Sequence, residues 1–103
     1  MRLATLALSA ALGVAGVVCG HDGGDGRYAT AVPGLVLPGV VVAAQRAGRY
    51  TVDLYLTASL VPLRPLGDRV REAVSERARS GGLEAALGPV SVRFLSVEER
   101  LDR

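Results

Sequence analysis

"RYTVDLYLTA", residues 49–58, is the stretch on which the reading of this chain turns. Tyr50, Val52, Leu54 and Leu56 fall on one side of an extended chain, and Thr51, Asp53, Tyr55 and Thr57 on the other. One face is covered and the other is wetter, which predicts a half-buried antiparallel sheet rather than a sandwich core. Upstream, "QRAGR" (45–49) predicts a hairpin turn centred on Ala47-Gly48. That turn joins the strand to the apolar run "LVLPGVVVAA" (35–44). Pro38 lacks a ladder N–H, so the paired part of this run is expected to begin at about Val40. Before it, "RYATAV" (27–32) is a short β-prone segment stopped by Pro33-Gly34.

Downstream, "VPLRPLGDRVREAVSERARSGG" (61–82) reads as a helix. Pro65 suits its first turn, and Leu66, Val70, Ala73, Val74 and Arg77 form the expected inner stripe. Asp68 sits toward the electropositive end, Arg77 and Arg79 toward the electronegative end, and Ser80-Gly81-Gly82 stops the helix. "PVSVRFLS" (89–96) alternates again, with Val90, Val92 and Phe94 inward. A strand, a helix and a strand in that order imply a crossover that returns the last strand to the same sheet.

The expectation is one α+β domain over residues 1–97, with a polar tail at 98–103. Its element order is α-β-β-β-α-β, a three- to four-stranded sheet with two helices packed on one face. With half of 103 residues apolar and only 4% aromatic, the core must be built from Val, Leu and Ala.

The first helix is the element in dispute. "MRLATLALSAAL" (1–12) has a basic start and an apolar stretch, followed by small residues up to Ala15, as an export signal does. It also carries Arg2, Thr5 and Ser9 at i, i+3 and i+7, one narrow polar stripe on an apolar cylinder, as a buried helix ended by Gly13 would. On the residues alone both readings stand. A membrane span is the weaker third. Leu3 to Gly20 is free of charge, but three Gly and two hydroxyl residues leave it short of about 20 strongly apolar residues.

The net charge is only +2, all twelve basic residues are Arg, and the sign alternates along residues 66–79. There is no basic stripe of the kind that displaces many counterions, so nucleic acid is not expected as a partner. One Cys excludes an internal disulfide framework and suits a reducing compartment. "CGHDGGD" (19–25) gathers Cys19, His21, Asp22 and Asp25, all ligand types. Their spacing fits no zinc pattern, and a calcium loop would need alternating oxygen donors and a distal Glu. The plainer reading is a polar turn after a small buried Cys, with no metal and no cofactor.

No Ser sits in a Gly-x-Ser-x-Gly elbow, and no third group is placed to orient a Cys19–His21 pair. The glycines at 20–26 precede a strand rather than a helix, so they form no phosphate cradle. Glu72 and Glu76, at i, i+4, read as a solvated face. The sequence is therefore that of a non-enzyme. Its expected interaction surface is the outward strand face, Thr51, Asp53, Tyr55 and Thr57.

Residues 13–74 resemble the alkaline-shock, or envelope stress response, family of small bacterial proteins, especially short actinobacterial-type members. The resemblance rests on "GVAGV" with Gly20, "YAT" followed by Pro33-Gly34, and "PGVVV" at Pro38 to Val42. It continues through "YTVDLYL" and "VPLRPLGDRVREAV" into the closing "PVSVRFLSV". Ser59-Leu60 depart from it where many members carry an aromatic-Gly corner. The resemblance implies that Leu3 to Leu12 is the first helix of the domain. It also implies a non-enzymatic, cytoplasmic protein acting through partners or self-association. Any membrane association would come from a membrane-anchor protein, not a span of its own. The alternative is an exported domain cut near Ala15 that binds a ligand or metal through His21, Asp22 and Asp25.

Overall fold

The computed structural model describes residues 2–99. The helix α1 (Arg2–Leu12) is followed by four short strands, β1 (Val17–Gly20), β2 (Ala29–Val32), β3 (Leu35–Pro38) and β4 (Val40–Ala44). The long β5 (Tyr50–Ser59), the helix α2 (Leu63–Ser80) and the last strand β6 (Leu87–Glu98) complete the fold. It is the α+β architecture expected, with the helix first, a mainly antiparallel sheet and both helices on one face. No described helix is long and apolar enough to cross a membrane.

β5 is the centre of the four-stranded sheet. β6 runs parallel to it along one whole edge, from Tyr50↔Leu87 to Ser59↔Glu98. The other edge is shared. β4 pairs with residues 50–54 of β5 and β1 with residues 56–58, both antiparallel, so β1 and β4 lie end to end as two halves of one edge strand. Tyr55 bridges the gap. Its N–H donates to the Gly39 carbonyl and its carbonyl accepts from the His21 N–H, each at 2.8 Å. Between the halves the chain makes an excursion, residues 21–38, that contains the separate β2–β3 hairpin.

The neck of that excursion is where glycine is required. Gly39 has φ +88, and a Cβ there would stand 2.5 Å from the Tyr55 carbonyl oxygen and 2.6 Å from the Gly20 Cα. A Cβ on Gly20 would run into the Pro38 carbonyl. Two chain segments cross with nothing but hydrogen between them, and only Gly-on-Gly allows it.

The inner face of β5 is the core. Val52, Leu54, Leu56 and Ala58 are fully buried beneath the helices, together with Val40 and α2's Leu66, Val70, Val74 and Ala78. Val90, Val92 and Phe94 pack against this cluster, as their alternation predicts. From α1, Leu3, Ala4, Ala7, Leu8, Ala10 and Ala11 are buried, and its run of alanines lets it approach α2 and the sheet closely. Arg2, Thr5 and Ser9 face outward as one stripe.

The turn at Ala47-Gly48 forms as expected. Both residues have positive φ, 63 and 74, the pattern whose twist matches the flanking strands. α2 ends where expected too, in a backbone cap: Gly82 has φ +75, and the Leu83 and Gly82 N–H groups take the Ala78 and Arg79 carbonyls.

Four details differ from the sequence reading. The chain has five strands before α2 rather than three. β1 was hidden because a four-residue strand with a bulge shows no alternation. β3 includes Pro38, which sits at the end of its pair opposite Ala29, where a missing N–H is tolerated. Arg77 is exposed, and Ala78 takes the inward place because the stripe advances by fours from Leu66. Finally, β6 extends to Glu98, one residue into the expected tail, whose positions 100–103 lie outside the described residues.

Candidate functional site

The outward face of β5 carries the four residues singled out from the sequence, and its neighbours follow from the strand register. Opposed residues share a face, so Asp53 lies between Val41 and Ser91, Tyr55 beside Arg93, and Thr57 beside Ser96. Thr51 donates its hydroxyl to the Ala43 carbonyl at 3.3 Å. Thr51, Asp53 and Tyr55 are half-buried.

Thr57 is only 3% exposed. β6 bulges between Phe94 and Ser96, leaving Leu95 as an extra residue and bringing Ser96 opposite Thr57. The two hydroxyls lie 2.7 Å apart, which satisfies a polar group that alternation would have left facing water.

Tyr55 is covered. The Tyr28 ring stacks on it with centroids 3.8 Å apart and planes at 10°. Tyr28 comes from the excursion, and its N–H and carbonyl are tied to the Asp22 carbonyl at 3.0 Å and the Gly39 N–H at 2.6 Å. The Arg27 guanidinium lies 5.9 Å from the Tyr28 centroid. Of the expected surface, then, Thr57 is buried, while Thr51, Asp53 and Tyr55 each keep partial exposure, Tyr55 with one ring face taken by Tyr28.

The Gly-rich loop is a chain of small turns, each closed by a side chain onto the backbone N–H two residues on. His21 Nδ1 accepts from Gly23 at 3.0 Å, Asp22 Oδ1 from Gly24 at 2.8 Å, and Asp25 Oδ1 from Arg27 at 3.0 Å. Asp25 Oδ2 also pairs with the Arg27 guanidinium at 3.1 Å. The Arg27 N–H, then the Arg27 charge, hold the Asp25 carboxyl below the usual carboxylate range. His21, Asp22 and Asp25 are therefore each engaged in a different turn. Among the described residues no three His, Cys, Asp or Glu side chains converge on one point.

Cys19 is exposed, not buried as expected, because β1 is an edge half-strand with no layer over its outer face. With His21, Asp22, Thr57, Ser96 and Glu98 it borders an open concavity of about 460 Å³. Among the described residues no hydrogen bond links Cys19 to the imidazole, and the ring's Nδ1 is occupied by Gly23.

Sequence reading did not find Tyr28 and Ser96, the residues that close over Tyr55 and Thr57. They lie 27 and 39 positions from their partners. The bulge and the excursion bring them there, and neither has a local signature. Comparison with protein-family models, curated proteins and solved structures found no match.

Proposed function

We propose that this chain is a non-enzymatic envelope stress response protein of the alkaline-shock type, acting through protein–protein contact, with a second copy of itself as the first partner. On this reading it works in the cytoplasm, and any membrane proximity is supplied by an anchor protein.

The observation that supports the reading is an uncovered apolar end of the molecule. The pairs Ala58↔Val97 and Ser59↔Glu98 set the ends of β5 and β6 side by side; Leu60 follows β5 and Leu63 begins α2. Leu60 is 69% exposed, Val97 44% and Leu63 38%. Large apolar side chains gathered at one end and left in water are characteristic of contact surfaces. Full burial of such a side chain is worth about 1.5–3 kcal/mol, but these are already partly covered, so roughly half of that remains for each, and contact between two copies buries six of them. The resulting gain of about 4.5–9 kcal/mol, set against about 4–15 kcal/mol for the freedom lost on association, supports a weak, concentration-dependent contact rather than an obligate dimer.

The long β6 edge supports pairing less well. Pro89, Arg93 and the bulge at Leu95 are devices that blunt an edge. An exported chain cut near Ala15 would lose α1 and, with it, six core residues and the cover of β1 and β4. The apolar floor that remained would face water.

Sedimentation equilibrium over a wide concentration range tests the reading. The wild-type chain should show reversible association, and Leu60→Ser with Val97→Ser should abolish it. A wild-type chain that stays monomeric throughout, or a double variant that associates equally well, would refute it.

A further inference from the structure

We propose that the groove between α1 and the carboxyl-terminal end of α2 is a binding site for a phosphate monoester with an apolar body. The groove has a volume of about 610 Å³. Its charged and polar lining includes Arg2, Ser9, Arg77 and Ser80, and its apolar lining Leu6 and Leu83. Among the described residues that line it, the two ionisable side chains are both guanidinium groups.

Among the described residues those two arginines have no carboxylate opposite them. The ion pairs among the described residues join Arg27 to Asp25, Arg71 to Asp68, and Arg79 to Glu76 and Glu84. Arg2 and Arg77 take part in none. Arg77 is held instead by a hydroxyl: its Nη2 donates to Ser9 Oγ at 3.2 Å, across the helix–helix interface. A hydroxyl that accepts keeps its own hydrogen to donate, so Ser9 can give a hydrogen bond to an anion while keeping Arg77 in place.

The carboxyl end of α2 does not compete for Arg77. Its terminal carbonyls on Ala78 and Arg79 are taken by the backbone N–H groups of the cap. The amino end of α1, which borders the groove at Arg2 and Thr5, brings the positive end of its dipole, which offsets the negative end of α2 on the opposite wall and leaves the two arginine charges to set the sign of the site.

Arg77 and Ser9 together offer a guanidinium fork and a hydroxyl donor to the oxygens of a phosphate ester, and Arg2, two helical turns before Ser9 on α1, adds a second positive charge from the other end of the groove. The apolar part of the ligand has a surface to meet. Beyond Leu6 and Leu83, the groove continues past Ser9 and Arg77 into a second concavity of about 320 Å³, floored by Val14 and Ala73. The one acidic residue there, Glu76, is bound to Arg79 at 2.7 Å.

Titration calorimetry of the full chain with phenyl phosphate, inorganic phosphate and phenol tests the assignment. Phenyl phosphate should bind, inorganic phosphate more weakly, and phenol not at all. Arg2→Gln and Arg77→Gln should each weaken phenyl phosphate about tenfold or more, as expected for loss of a charged hydrogen-bonding partner. Leu83→Ser should erase the preference for phenyl phosphate over inorganic phosphate. Arg46→Gln, in the exposed turn before β5 and in the lining of neither concavity, should change neither, and unaltered melting temperatures would show that the exposed Arg2 and Arg77 are not needed for folding.

Vesicles containing phosphatidic acid, compared with phosphatidylcholine alone, separate the two sources of this chemistry. Retention that Arg77→Gln removes assigns a lipid headgroup. Phenyl phosphate binding without retention assigns a soluble ester. Absence of phenyl phosphate binding, equal binding of inorganic phosphate, or indifference to both arginine substitutions would overturn the proposal.

Discussion

Alanine at Gly39 should destabilise the protein far more than alanine at Gly24, although both positions have the same φ of +88. At either site an L-residue pays for the left-handed backbone, about 1–2 kcal/mol. At Gly24 nothing lies within 4 Å of the added methyl group, so the cost ends there. At Gly39 the methyl group would meet three backbone atoms, the Tyr55 oxygen at 2.5 Å, the Gly20 Cα at 2.6 Å and the His21 nitrogen at 2.8 Å. Backbone cannot rotate aside as a side chain can, so the crossing must open.

The crossing is held by three hydrogen bonds: Tyr55 N–H to Gly39, His21 N–H to Tyr55, and Gly39 N–H to Tyr28. Each is worth roughly 0.5–1.5 kcal/mol net. Losing two or three of them adds about 2–3 kcal/mol, for a total near 3–5 kcal/mol. That is a large share of the roughly 5–15 kcal/mol of a domain this size. Urea unfolding of the two variants beside the wild type measures the difference, and thermal melts should separate them by roughly 10–20 °C. Equal losses for Gly39→Ala and Gly24→Ala would refute the split edge strand, because its defining contact would then carry no steric demand.

Ala47 sits at φ 63, where an L-residue with a Cβ is strained, so Ala47→Asn should raise stability by about 1 kcal/mol in a thermal melt; a loss of stability would contradict the turn geometry. A double-mutant cycle of Tyr28→Leu and Tyr55→Leu should give a coupling of about 0.5–1.5 kcal/mol, reflecting the stacked pair, and strict additivity would show that the rings do not meet. Because the Asp25 carboxyl is held below its ordinary range, its contribution to loop order should be complete above that range and should fade only as pH drops through the lowered value. The Arg27 amide proton, followed by NMR through an acid titration, should report this, and an Asp25 midpoint at or above the ordinary range would count against the turn.

The elements legible in the sequence are those in which near neighbours carry the information. The alternation from Tyr50 to Leu56 identified the inner and outer faces of β5, and "QRAG" placed the turn at Ala47-Gly48. The paired glycines at 81–82 placed the end of α2. Even the disputed first helix showed its outward stripe, Arg2, Thr5 and Ser9. The candidate site was less legible. Alternation put Thr57 on the right face but could not show that Ser96 would meet it, since that depends on a bulge in a strand 39 positions away. Nor could it show that Tyr28 would lie over Tyr55.

By itself, then, the sequence determined the composition of the core, the identity of the central strand and of α2, and where the tight turns fall. These follow from spacing along the chain, because a residue's face in a strand or helix is set by its neighbours' backbone geometry. Only the tertiary structure decided that one edge strand is split into β1 and β4, that a hairpin is inserted between them, and that Arg2 and Arg77 share a groove. Those depend on which distant segments come together. A crossing such as Gly20 on Gly39 is selected by the absence of a side chain at two positions far apart, and such an absence becomes readable only once the backbones touch.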